Sequence, residues 1–191
     1  MNMKTKELIS WGLVLFSTLL FLGCNNDDNF TINHPFIGLH KTDANKYNLV
    51  SVDIAAGSSK DIYELNNDDL PLYGDYTYDH NHDYYIFATI QKLKVVDVKT
   101  NTIVITFEGI RDAEYNKNDG KIYGMDYDNE NNICFVSADI KTRAITQIKK
   151  LTGIETTTQG TSTFNFIDNQ YVVVVGTSDN LKILQINILY F

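Results

Sequence analysis

The chain has 191 residues, 43% of them hydrophobic and 12% aromatic, with a net charge of −8 and a pI near 4.8. That length suffices for one ordinary domain with a real core. The acidic balance repels phosphate backbones and anionic headgroups, which argues against nucleic acid as a partner.

Lys4 and Lys6 give the chain a short positive start. An apolar run follows from Ile9 to Leu22, broken by Ser10, Gly12, Ser17 and Thr18, and it ends in Phe21-Leu22-Gly23-Cys24. This order is that of a secretory signal; the run falls short of the roughly 20 apolar residues a membrane-spanning helix needs. Its end resembles the lipobox of bacterial lipoproteins. Gly23 and Cys24 match that motif, whereas Phe21 and Leu22 stand where it usually has a leucine and a small residue. The resemblance implies cleavage before Cys24, acylation of that cysteine with palmitate among its chains, and a lipid-anchored location at the outer membrane of a bacterial cell envelope, facing the periplasm or the surface. Asn25-Asn26-Asp27-Asp28-Asn29 reads as a flexible polar tether. It also resembles the acidic export signal of surface lipoproteins in Bacteroidetes-type bacteria. The expected organisation is a leader over residues 1–23, a tether over 24–33 and a folded part over 34–191.

With Cys24 taken by lipid, Cys134 is left alone, so no internal disulfide is expected. It lies in the apolar run Ile133-Cys134-Phe135-Val136, where a buried, inert thiol is the expected role.

From residue 34 onward the chain repeats. Leu49-Val50-Ser51-Val52-Asp53-Ile54, Leu93-Lys94-Val95-Val96-Asp97-Val98 and Phe135-Val136-Ser137-Ala138-Asp139-Ile140 are three copies of one pattern. Leu181-Lys182-Ile183-Leu184-Gln185-Ile186 is a worn fourth, marked at Gln185. Before each copy, an aromatic residue, a polar turn and a strand recur, as in Tyr78 to Ala88, Tyr115 to Met125 and Phe166 to Val175. Asp119-Gly120 reads as a type I′ hairpin turn. After each copy another polar turn leads to a further strand, at Asp61–Leu65, Ile103–Phe107 and Ile145–Ile148. No sustained helical period appears. A unit of about 44 residues with four short antiparallel strands has the size of one β-propeller blade. The expected fold class is all-β, a propeller-like array of about four blades over approximately 34–67, 72–109, 110–153 and 158–191. Stacking of blades explains why the strands are continuously apolar.

Leu93 to Phe107, with Val96-Asp97-Val98-Lys99-Thr100-Asn101-Thr102-Ile103-Val104 at its centre, resembles the YVTN-type, WD40-like propeller repeat. The likeness is good in the second unit, fair in the first and third and poor in the fourth; Ile86-Phe87-Ala88-Thr89 stands in place of the literal motif. It implies a fold and carries no catalytic residues, since propellers host many unrelated functions. Phe36 to His40 is expected as an inner strand of the first unit, and the fourth unit stops one strand short at Phe191. Two readings follow: an incomplete or open arc, favoured by the apolar C-terminus, or a small ring closed by a strand near Asn29 to Asn33.

Several clusters are candidates for chemistry. Asp126, Asp128 and Glu130 alternate like the oxygen ligands of a calcium loop but lack its glycine and its distant glutamate; a hairpin favours the same residues for turn geometry. Asp53, Asp97 and Asp139 recur at one repeat position. They form either a ring of carboxylates around a channel or, more simply, local acceptors for backbone N–H groups in the turn that follows. His80, His82 and Asp83 have the residue types of a metal site but lie in a turn, which favours solvation. His34 and His40 stand singly. No nucleophile elbow, zinc-protease helix, phosphate loop or dinucleotide fingerprint is present. The expected function is a membrane-anchored scaffold that binds a protein, a small molecule or a glycan without catalysis, with Tyr73, Tyr76 and Tyr78 as contact residues. Its rivals are a propeller-type hydrolase or lyase with a channel-bound divalent cation, and a truncated, inactive paralogue.

Overall fold

The computed structural model describes residues 36–42, 46–65, 75–89, 91–158 and 160–190. The leader, Cys24, the tether, His34, Asn29 to Asn33 and Tyr73 lie outside them. The described residues form fifteen β-strands and one short 3-10 turn, Ile188–Tyr190.

The strands make four antiparallel sheets in chain order. The first holds β1 (Phe36–Lys41), β2 (Tyr47–Asp53) and β3 (Ser58–Leu65). The second holds β4 (Tyr76–Asp79), β5 (Tyr84–Ala88), β6 (Lys92–Asp97) and β7 (Thr102–Glu108). The third holds β8 (Arg111–Asn116), β9 (Lys121–Tyr127), β10 (Ile133–Asp139) and β11 (Ile145–Lys150). In the fourth, β12 (Thr156–Thr157) and β13 (Thr163–Asn165) pair with β14 (Gln170–Gly176), which also pairs with β15 (Leu181–Asn187). The fold is all-β and propeller-like, and the sheets do not close into a ring.

Each strand alternates its side chains between two faces, and in the inner strands β5, β6, β9 and β10 both faces are dry. In the second sheet Tyr85, Phe87 and Val96 face Leu49, Ile62 and Leu65 of the first. Ile86, Ala88, Leu93, Val95, Ile105 and Phe107 face the third, meeting Ile122, Cys134, Val136 and Ala138. The opposite face of the third sheet presents Tyr123, Met125, Ile133 and Phe135 to Phe164, Tyr171, Val173 and Ile186 of the fourth. This two-sided burial is the physical reason for the unbroken apolar runs in β5, β6 and β10. Gly124 sits at the closest approach: a Cβ there would stand 2.7 Å from the Arg111 carbonyl oxygen and 2.8 Å from Ile110 Cγ2.

The turns share one construction. An Asp or Asn ends a strand, and the residue four positions later adopts a left-handed backbone: Asp53 and Gly57, Asp79 and Asp83, Asp97 and Asn101, Asn116 and Gly120, Asp139 and Arg143, Asn165 and Asn169. The leading carboxylate or amide accepts N–H groups inside the turn, as Asp97 Oδ1 does from Lys99 at 2.8 Å and Thr100 at 3.0 Å. The Gly120 N–H, for its part, bonds to the Asn116 carbonyl at 2.8 Å. The turn at Asp119-Gly120 is therefore not type I′, which needs two consecutive positive φ values; here Gly120 takes φ +75° and Asp119 remains on the negative side.

Two further expectations are corrected by register. Phe36 to His40 is not an inner strand: β1 pairs with β2, which ends at Asp53 as β6 and β10 end at Asp97 and Asp139, so β1 occupies the second-strand place. In the fourth unit the repeat mark belongs to Asn187 rather than Gln185. Asn187 pairs with Gln170, as Asp97 pairs with Tyr84 and Asp139 with Lys121, and its side chain accepts the Leu189 N–H at 3.0 Å.

The close contact at residue 124 and the strained turn at residue 143 predict opposite signs. Gly124→Ala should lower unfolding free energy by about 1–3 kcal/mol, the usual cost of overpacking. Arg143→Gly relieves a left-handed cost of about 1–2 kcal/mol at an entropic cost of about 0.5–1 kcal/mol, a net gain near 0.5 kcal/mol. Urea unfolding midpoints of the full chain check both.

Candidate functional site

β4 and β8, the first strands of the second and third sheets, and β13 of the fourth lie side by side. Between them opens a cleft of about 300 Å³ lined by Thr77, Tyr78, His80, Glu114, Tyr115, Lys117, Thr163, Phe164 and Phe166. Tyr115 and Phe164 are buried in it, whereas His80, Lys117 and Phe166 stand exposed at its rim. The Lys117 ammonium lies 4.8 Å from the centre of the Phe166 ring, a cation–π distance.

Behind the cleft runs a chain of polar contacts from sheet to sheet. The β8–β9 register slips between Arg111 and Glu114, so Asp112 and Ala113 fall out of the ladder. Their N–H groups bond instead to Asp75 of the second sheet, both at 2.9 Å, one to each carboxylate oxygen. Buried backbone donors need acceptors, and Asp75 supplies two. Asp112, with φ +48°, passes the pattern on: its Oδ1 accepts the Gly160 N–H at 3.1 Å, and its carbonyl accepts the Tyr171 hydroxyl at 2.5 Å. Ser162 donates to Glu114 Oε1 at 3.0 Å, and the Tyr115 N–H reaches Thr77 Oγ1 at 3.4 Å.

Burial governs the protonation of these acids. It pushes Asp75 up to about 6 against the opposing effect of its two N–H donors. It pushes Glu114 up to about 7, with the Ser162 hydroxyl opposing and the negative charges of Asp75 and Asp112 adding to the rise. Asp112 is raised by burial as well, opposed by Thr157 and the Gly160 N–H. The cleft thus offers aromatic faces, an ammonium at the rim and a carboxyl that changes charge near neutrality. Stacking on the rings and hydrogen bonding to the carboxyl are the interactions such a set has to offer.

Of the sequence-derived candidates, Tyr78 and His80 line the cleft and the others lie elsewhere. Asp53, Asp97 and Asp139 accept N–H groups in their own turns: from Ala56 at 2.9 Å, from Lys99 and Thr100, and from Lys141 at 2.8 Å and Thr142 at 3.0 Å. Asp128 accepts the N–H groups of Glu130 at 2.9 Å and Asn132 at 2.8 Å; these bonds, the one from Asn132 foremost, hold its carboxyl down at about 2. Lys150 Nζ sits 3.1 Å from Glu130 and 3.4 Å from Asp128, while Asp126 accepts the Tyr127 N–H at 2.7 Å. The residues expected of a calcium loop therefore face a lysine and the backbone. Among the described residues no group of three or more His, Cys, Asp or Glu is placed to hold a metal ion. His82 Nδ1 lies 2.6 Å from Asp79 Oδ2, and Asp83 accepts the Tyr78 hydroxyl at 3.0 Å and pairs with Lys99. Cys134 is buried, with its thiol pushed up by desolvation. Tyr78 lines the cleft; Tyr76 is exposed beside Tyr85.

Sequence reasoning missed Asp75, Asp112 and Glu114. A signal was present: Asp75 precedes the turn residue Asp79 by the same interval at which Asp112 precedes Asn116.

No family model and no curated protein matches the chain. Solved structures do. TolB from Acinetobacter baumannii aligns at 17% identity with a TM-score of 0.53, over 74% of this chain and 35% of that one. A nidogen/laminin complex aligns at 12% identity with a TM-score of 0.51, over 72% and 52%. The chain thus spans about a third and about half of these structures. They are β-propeller proteins, and at such identities the likeness shows the fold alone: successive propeller blades.

The raised carboxyls fix a pH dependence. Asp75 and Glu114 titrate at 3.8 and 4.5 when unperturbed and near 6 and 7 in the fold, so between those limits the folded state holds more protons than the unfolded one. Stability contributed by the protonated acids is complete below about pH 4 and is lost as pH rises through 6 and 7. Thermal midpoints should fall from pH 5 to 8, and Glu114→Gln should flatten the upper part of that fall.

Proposed function

We propose that this protein is a lipoprotein held at the outer membrane through Cys24, and that its blades form a non-catalytic scaffold binding a protein, small-molecule or glycan ligand at the cleft between β4, β8 and β13. The observation that carries the binding reading is the convergence of Tyr78, Glu114, Lys117, Phe164 and Phe166 from three separate blades on one opening. The leader and Gly23-Cys24 carry the anchoring reading. Two or more acyl chains anchor stably, whereas one binds marginally.

Two measurements test the proposal. In a bacterial host, Cys24→Ser should abolish palmitate labelling and shift the protein out of the membrane fraction; an unlabelled wild type would refute anchoring. On glycan and peptide arrays, the wild type should retain a ligand that Phe166→Ala with Lys117→Ala loses by at least about tenfold, the effect of roughly 1.4 kcal/mol. Retention unaltered by these substitutions would place binding outside the cleft.

A further inference from the structure

The cleft is an electrostatic exception on this chain. The sequence has 24 acidic side chains against 16 lysines and arginines, yet the two exposed ionisable groups that line the opening, His80 and Lys117, are both basic. The one acid in the lining, Glu114, is half-buried and has its own partners: Ser162 donates to it at 3.0 Å, and the Thr77 hydroxyl engages it from β4. Burial pushes its carboxyl up to about 7, so at neutral pH it brings less than a full negative charge to the opening.

Lys117 has a charge to give. Lys46, Lys92, Lys99 and Lys150 each stand within ion-pair distance of a carboxylate. Among the described residues Lys117 forms no ion pair, and its ammonium lies over the Phe166 ring. A ring face satisfies an exposed ammonium less well than an anion bonded to it. The backbone beneath is tied across two sheets. Asn118 Nδ2, in the turn that carries Lys117, donates to the Phe166 carbonyl at 3.4 Å, and Asn116 Nδ2 donates to Asn169 Oδ1 at 3.3 Å. Ammonium and ring are thereby presented together. His80 packs edge-on against Tyr78, their ring centres 4.9 Å apart.

We infer that the ligand of this cleft is a ring-shaped molecule with a carboxylate on its edge: Lys117 takes the carboxylate, with the His80 imidazole as a second donor at the rim, and the ring lies on the apolar wall of Tyr78, Phe164 and Phe166. The inference rests on the cleft being the binding site proposed above. One ammonium matches one negative charge. A phosphate monoester, with about two, would bring the excess onto a chain that is already net negative. A cationic ligand would meet Lys117 at the ring that should hold it. An uncharged ring would gain from stacking alone and leave the ammonium unanswered. Aromatic acids and acidic sugars both carry the required chemistry.

Frontal affinity chromatography of the full chain, in polyoxyethylene detergent micelles, reads the charge and its carrier. Two matrices present a carboxylate on a ring, as glucuronate or as a 4-carboxyphenyl group; two present the same rings uncharged, as glucose or phenyl. A net-negative protein is otherwise repelled by a carboxylate matrix, so retention there reports a site. The expected result is retention on at least one carboxylate matrix, at least about tenfold weaker on its uncharged counterpart, the loss of one charge-assisted hydrogen bond. Retention on glucuronate alone assigns an acidic sugar, and on carboxyphenyl alone an aromatic acid. Lys117→Gln should lose the preference and Lys117→Arg keep it, with the circular dichroism of the β-sheets unchanged in both. Equal retention on an uncharged counterpart, retention on neither carboxylate matrix, or a preference that survives Lys117→Gln would each overturn the inference. An uncharged array ligand released by Phe166→Ala would then leave the cleft as the binding site and remove only the carboxylate; bound ligands indifferent to both substitutions would remove the cleft as well.

Discussion

Strands β5, β6, β9 and β10 carry apolar side chains on both faces, and a sheet of that kind cannot stand against water on either side. Each such sheet needs two neighbours, which is the constraint from which the serial arrangement follows. Phe87, Phe135 and Tyr171 are each 0% exposed and each is buried at a junction between sheets. Burying one such side chain contributes about 1.5–3 kcal/mol, so a junction with several of them outweighs the hydrogen bonds around it. Nearest-neighbour stacking of this type makes stability a sum over junctions.

Stacking leaves sheets free to slide, and the polar chain behind the cleft restricts that freedom. Asp75 can receive both the Asp112 and the Ala113 N–H only at one offset between the second and third sheets. Asp112 repeats the role toward Gly160 of the fourth. The cost is electrostatic: three carboxyls share a dry region, and desolvation raises all of them. The shift is the physical trace of an exchange in which charge is given up so that offset is fixed.

The architecture was legible in the sequence because its causes are local and repeated. The marks at Asp53, Asp97 and Asp139 end third strands, and their carboxylates close the turns that follow. The fourth mark was misread because Gln185 lies nearer the expected spacing than Asn187, and only strand register separates them. The turn at Gly120 was misread because Asp-Gly is also the signature of a tighter hairpin; the longer loop is fixed by Asn116, four residues back. The cleft was largely hidden. Its residues come from three repeats, and neither spacing nor composition says that β4, β8 and β13 stand together. Asp75 and Asp112 were passed over because an isolated aspartate just before or at the start of a short strand looks like any other polar residue until its acceptor role is seen.

The rim of the cleft shows how a repeat makes a site without breaking its own geometry. His80, Lys117 and Phe166 each follow directly the Asp or Asn that opens the first turn of its sheet: Asp79, Asn116 and Asn165. The leading residue is tied to the turn, since Asp79 accepts the Asn81 N–H, Asn116 that of Asn118, and Asn165 that of Ile167. The next residue is carried by the turn so closed. Its backbone is fixed while its side chain stands over the opening, so a base, an ammonium and an aromatic ring occupy equivalent places in three neighbouring blades. An identical residue at that position in every blade would mark a structural role. Three different chemistries converge on one cavity, on a frame that holds their backbones in register, and under the proposed function these are the groups a ligand would meet.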